Sequence, residues 1–163
     1  MKLIYLLIFV LLTSCKLEYQ PFTETISNVK IELKESDEVS FIIKKILNFK
    51  FNKNNTANYK YKLIITNKVN LEGFNLGSDQ FSNSFKTTIV ADVNLIEIET
   101  NTSIFKKTFN VSENYVVSKN SIVADYKARQ YVVQNLGDRV ANLIYNDIQE
   151  YVIFFLDGAR QDS

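Results

Sequence analysis

Two long runs of strict alternation, divided by four turn-forming residues, set the frame into which the rest of this chain must fit. Over Phe85 to Glu99, Thr87, Ile89, Ala91, Val93 and Leu95 fall on one side, and Lys86, Thr88, Val90, Asp92, Asn94 and Ile96 on the other. That is the period of two imposed by a pleated strand. Thr100-Asn101-Thr102-Ser103 follows, residues whose short polar side chains favour turns, and a second strand-like run extends from Ile104 to Tyr115 or slightly beyond. Runs of this kind joined by so short a turn are expected to fold back on each other as an antiparallel hairpin.

A hairpin with one apolar side needs a cover, and the C-terminal third supplies one. After Ser121 the period changes to that of a helix, with Ile122, Val123, Tyr126, Val132, Val133, Leu136, Val140, Leu143, Ile144, Ile148, Tyr151 and Val152 on one stripe. The stripe holds to about Ile153, roughly eight turns or about 45 Å of helix. Gly137 weakens this helix without ending it. Phe154, Phe155 and Leu156 leave its end apolar, placed to close the core or to meet a partner, before a polar tail over 157–163.

The N-terminal half repeats the two periods in smaller units. Val29, Ile31 and Leu33 alternate with Lys30, Glu32 and Lys34, which predicts a strand. Ser36-Asp37-Glu38 is a helix start, its acidic groups facing the positive end of the helix dipole, and Val39, Ile42, Ile43, Ile46 and Leu47 make one buried stripe. Tyr59, Tyr61, Leu63 and Ile65 argue a second strand, and Asn67 to Ser84, with Gly73, Asn75, Gly77 and Asp79, reads as a long connection or a frayed hairpin tip. The order β-α-β-β-β-α predicts an α+β fold in which two helices cover one face of a mostly antiparallel four-stranded sheet. A single domain over residues 28–156 is expected. The first strand's neighbour stays open, and a right-handed crossover through the helix would set it parallel to the second strand.

Ahead of the domain, Met1-Lys2 and the wholly apolar run Leu3 to Leu12 lead to Leu12-Thr13-Ser14-Cys15. A short charged start, an apolar segment too short to span a bilayer comfortably, and small residues at a cut site describe a bacterial secretory signal over residues 1–14. The tetrad fits a lipobox, in which Cys15 is lipidated and becomes the new N-terminus; several acyl chains then hold the protein far more firmly than one. Residues 15–27, with the only proline, Pro21, read as a lipidated tether. Lys16, rather than an aspartate, beside the cysteine favours the outer membrane over retention in the inner one.

The chain has no histidine and no cysteine besides Cys15. Thiol or imidazole catalysis and His or Cys metal sites are thereby excluded, and no two carboxylates stand out as an acid and base pair. An enzyme is not expected, nor is a metal or a cofactor beyond the covalent lipid on Cys15. With Lys and Arg totalling 19 against 18 Asp and Glu, no overall field draws the protein to nucleic acid.

The chain resembles the lipopolysaccharide-assembly lipoprotein LptE, particularly its shorter alphaproteobacterial form. The likeness runs from the lipobox to the last helix. It is most specific in the stretch Ser84 to Leu95, the turn, Ser112-Glu113-Asn114-Tyr115-Val116-Val117-Ser118-Lys119-Asn120-Ser121, and a final helix bearing Ala124, Ala128 and Ala141. Where members carry arginine before the third strand this chain has Phe85-Lys86, and where they have a glycine-rich pair after the lipid cysteine it has Lys16-Leu17. The resemblance implies a periplasm-facing outer-membrane protein that plugs the lumen of the LptD β-barrel, helps it assemble and delivers lipopolysaccharide to the outer leaflet. It also implies Lys119 and Lys86 as contacts for lipopolysaccharide, since an ammonium can pair with lipid A phosphates, though as a point charge rather than a guanidinium fork. The small tethered α+β plan equally suits an accessory lipoprotein of a phospholipid-trafficking transporter, and an envelope enzyme is the third and weakest alternative.

Overall fold

The computed structural model describes residues 26–52, 58–74, 82–118 and 122–161. The expected signal sequence over 1–14, Cys15 and Lys119 lie outside them. The elements are β1 (Val29–Leu33), α1 (Glu38–Phe51), β2 (Tyr61–Phe74), β3 (Ser82–Glu97), β4 (Thr102–Ser118) and α2 (Ile122–Gln161). The strands lie in the order β1-β2-β3-β4. The sheet is mixed: β1 runs parallel to β2, with Val29 opposite Tyr61 and Leu33 opposite Ile65, whereas β2–β3 and β3–β4 are antiparallel. The α+β order β-α-β-β-β-α is the one the periodicity dictates.

The β3–β4 hairpin is longer than the alternation alone suggests, pairing from Ser82 with Ser118 down to Glu97 with Thr102. Its turn closes through Asn101 in the left-handed region (φ 54°), a conformation asparagine tolerates better than most side chains. β2 departs from the expected boundaries. It does not stop near Thr66 but continues to Phe74, pairing with β3 as far as Ser84, so the expected long connection shrinks to residues 75–81. The physical reason is visible at Asn67, which points into the domain where an apolar residue would mark a strand, and is 4 % exposed because its polar atoms are all engaged.

Alternate strand residues make the inner layer. Val29 and Ile31, Leu63 and Ile65, Ile89 to Leu95 in steps of two, and Phe109 and Val111 are all buried. Above them lie Ile43, Leu47 and Phe51 of α1 and Leu136, Val140, Ile144 and Ile148 of α2. Each such side chain contributes roughly 1.5–3 kcal/mol by leaving water, and together they hold both helices to one face. Gly137 has its reason here: a Cβ at that position would stand 2.8 Å from Ile42 Cγ2, so the two helices cross closely where α2 has no side chain.

At 40 residues α2 is about 60 Å long, outlasting the predicted stripe. The stripe is core only from Val132 onward, and even there Leu143 is 42 % exposed, its side chain turned from the sheet; Val123 and Tyr126 are exposed. Its neighbour α1 begins only at Glu38, level with Arg129 to Val133, so the first turns of α2 have no helix to pack against. Polar bridges fix the register of α2 on β4: Asn135 Nδ2 donates to Glu113 Oε2 at 2.8 Å, Arg139 lies 3.8 Å from the same carboxylate, and Lys107 pairs with Asp147. Among the described residues no helix is long and apolar enough to cross a membrane.

Two side-chain amides pin the start of the domain. Asn52 accepts from the Val29 N–H at 2.9 Å and donates to its carbonyl at 2.8 Å. Gln149 does the same for Ile26, at 3.0 Å in both directions. Each amide thus imitates the next strand of a ladder and satisfies backbone groups that would otherwise be buried unpaired. The chain leaves Ile26 at the same end of the sheet as the β3–β4 turn.

Candidate functional site

At the other end of the sheet β2 extends beyond β1, leaving inner-face positions that neither helix covers fully. The start of α1, the middle of β2 and the first turns of α2 converge there on a cleft of about 270 Å³. Val39, Val69 and Val133 give it apolar walls, and Asp37, Glu38, Tyr126, Arg129 and Gln130 complete its lining.

A closed polar network shapes the α1 side of the cleft. Asp37 is the N-cap, and its carboxylate accepts the Ser40 N–H at 2.7 Å. Ser40 Oγ donates to Asn67 Oδ1 at 2.6 Å, and Asn67 Nδ2 returns to the Asp37 carboxylate at 3.1 and 3.2 Å. The Asn67 N–H donates to Glu35 Oε2 at 3.1 Å. Burial pushes the Asp37 carboxyl upward, but the hydrogen bonds from Ser40 and Asn67 outweigh it and hold the group below its ordinary value. The network ties the β1–α1 connection to β2 and so fixes where α1 begins.

Outside the lining of the cleft, Tyr115 of β4 stacks with Phe85 of β3, ring centroids 5.4 Å apart. Burial raises the Tyr115 phenol above its ordinary value, the nearby Asp125 carboxylate adds to this and Arg129 opposes it. One turn of α2 therefore presents an acid and a base beside an aromatic pair. The cleft can hold an apolar group against its valines, with the Arg129 guanidinium sharing the lining with the Asp37 and Glu38 carboxylates.

The structure does not gather the candidate residues into this cleft. Lys86 lies opposite Glu72 and Asn114, one position from inward-facing Phe85 and Thr87, and so projects from the outer face of the sheet, which no helix covers. Lys119 follows Ser118, the last residue of β4. Lys86 and the strand end preceding Lys119 thus belong to one end of the sheet. Along β2, Glu72 is eleven residues from Tyr61, the partner of Val29, which places Lys86 about 36 Å from the pinned start of the domain.

Arg129 and Asn67 escape sequence reasoning. Arg129 sits in the exposed first turns of α2, where nothing local distinguishes it from a solvated base. Asn67, Val69 and Leu71 do continue the alternation of β2, a signal obscured by the glycines and asparagine beyond.

No protein-family model and no curated protein matches the chain. Solved structures do match in fold. A protein described as a lipoprotein from Caulobacter crescentus aligns with a TM-score of 0.62 at 16 % identity, over 79 % of this chain and 93 % of that one. The rare lipoprotein B of Shewanella oneidensis aligns at 0.55 and 10 % identity, over 77 % and 96 %. A minor lipoprotein of Acinetobacter baumannii aligns at 0.52 and 11 % identity, over 75 % and 92 %. This chain therefore has the fold of solved bacterial lipoproteins across almost their whole length.

Proposed function

We propose that this protein is an outer-membrane lipoprotein, lipidated on Cys15, that sits as a plug and assembly partner inside the LptD β-barrel and works with it to carry lipopolysaccharide to the outer leaflet. The observation that carries the reading is the shared fold: an α+β domain that aligns with solved bacterial lipoproteins across almost their whole length, following a sequence that ends in a lipobox. The polarity of the domain supports it. The chain leaves Ile26 at one end of the sheet, and Lys86 and the end of β4 that precedes Lys119 belong to the other, so a protein held by its lipid would present that end away from the leaflet. The resemblance to LptE in the hairpin and final helix supplies the partner.

The test is a mild-detergent purification of the lipidated protein from outer membranes, with identification of whatever co-purifies in equal amount. A large β-barrel is expected. Recovery of inner-membrane transporter subunits would overturn the reading in favour of phospholipid trafficking, and absence of any stoichiometric partner would overturn it too. Lys86→Ala is expected to leave the barrel complex intact and weaken capture of lipopolysaccharide.

A further inference from the structure

We infer that the end of the domain from which the N-terminal segment departs is a bilayer-contacting surface, on which Phe49, Tyr59, Ile98 and Phe154 rest among the headgroups of the leaflet holding the anchor. The inference rests on the lipoprotein reading and adds to it an orientation and a second membrane contact.

A series of backbone hydrogen bonds joins the parts of this surface. The Ile98 N–H donates to the Lys60 carbonyl at 3.0 Å, the Lys60 N–H to the Asn28 carbonyl at 3.2 Å, and the Asn28 N–H to the Phe51 carbonyl at 3.1 Å. The β3–β4 turn, the approach to β2, the N-terminal segment and the last turn of α1 are therefore contiguous. Gln149 attaches α2 to the same place through Ile26, and Phe154 lies little more than a turn further along. Around that point Phe49 is 75 % exposed and Phe154 70 %, with Tyr59 and Ile98 each more than two-fifths exposed. Single exposed apolar side chains are ordinary; these four are set apart by belonging to the end of the domain from which the N-terminal segment leaves.

The length of chain outside the described residues selects the occupant. Residues 16–25 separate Cys15 from Ile26, and even fully extended they reach at most roughly 35 Å. The bilayer is therefore always within reach of this end. The exposed apolar residues Leu71 and Val116 lie in the paired strands toward the opposite end of the sheet. Charges near the exit are of both signs, Lys50 and Lys60 against Glu97, Glu99 and Glu150, so apolar and aromatic groups rather than a net positive field make the contact. Aromatic side chains suit the interfacial layer of a membrane, and a second point of attachment stops the domain from swinging on its tether.

The experiment uses the full-length lipidated protein with a single new cysteine, Phe49→Cys, Phe154→Cys or, as the control on the outer face of the sheet, Thr88→Cys. Each is labelled with a fluorophore and reconstituted into phosphatidylcholine vesicles containing lipids brominated on their acyl chains; the thiol of lipidated Cys15 is already consumed. Labels at 49 and 154 are expected to lose roughly half or more of their emission, as for groups lying at the headgroup and acyl boundary, and the label at 88 to be unaffected. Co-flotation with vesicles but equal, weak quenching at all three positions overturns the surface and leaves the anchor standing. No co-flotation, with Cys15 unmodified by mass spectrometry, overturns the lipoprotein reading and the surface with it. Protection of positions 49 and 154 by an added barrel, without quenching by lipid, overturns the inference by assigning the patch to a protein.

Discussion

Replacing Gln149 with leucine removes the clamp on Ile26 while keeping the side chain's size, and the structure sets the expected cost. Two hydrogen bonds are lost, each worth about 0.5–1.5 kcal/mol net. If Ile26, 5 % exposed, stayed in place, its N–H and carbonyl would be buried without partners at about 1–3 kcal/mol apiece. Because Ile26 precedes β1 and Gln149 is the group that holds its backbone, release is the cheaper response. The segment then gives up roughly 1.5–3 kcal/mol of side-chain burial and recovers about 1–2 kcal/mol of backbone entropy for each freed residue. The balance predicts a loss of about 1–2 kcal/mol in denaturant unfolding, together with faster amide exchange at Ile26 and Ser27. Val29, held independently by Asn52, should keep its protection. Gln149→Glu should be weakest near neutral pH and recover as the pH falls, because only the protonated carboxyl can donate to the Ile26 carbonyl. Unchanged stability together with unchanged exchange at Ile26 would refute the clamp. A loss beyond about 4 kcal/mol would refute local release.

Other perturbations test separate parts of the fold. Gly137→Ala gains about 1 kcal/mol of helix propensity but drives a methyl group into Ile42, an overpacking cost of about 1–3 kcal/mol; unfolding should show net destabilisation, with favourable coupling to Ile42→Ala in a double-mutant cycle. Asp37 titrates below its ordinary value in the folded state, so its contribution is fully present above the unfolded pKa and is lost as pH falls through the folded one. Acid unfolding should therefore be less steep in that window for Asp37→Asn than for the unaltered protein, and identical profiles would exclude the network as its source. The Thr87 hydroxyl is buried without a hydrogen-bond partner among the described residues, so Thr87→Val should stabilise the domain by about 1 kcal/mol in denaturant unfolding.

The elements most legible in the sequence were those whose pattern and environment agree. β3 and β4 alternate cleanly because one face is buried and the other is open, and α2 from Val132 keeps its period because the sheet and α1 flank it. Legibility failed where a residue's role depends on a distant partner. The buried amide of Asn67 makes sense only once Ser40 and Asp37 have been folded against it, and Gly137 only once Ile42 lies across it. The parallel pairing of β1 was one of two options because the alternation of Val29, Ile31 and Leu33 has no direction in it. The candidate site was the least legible part: Lys86 is distinguished by its place on the uncovered face, which its neighbours in sequence do reveal, whereas the cleft is made by three segments that the sequence keeps far apart.

The most direct test of the central claim is photo-crosslinking in living cells from a reactive amino acid placed at position 86, on the uncovered face at the end of the sheet far from the anchor. Adducts with the wall of the LptD barrel and with lipopolysaccharide are expected. Adducts confined to inner-membrane transporter subunits, or none in cells where the protein is folded and lipidated, would contradict that claim.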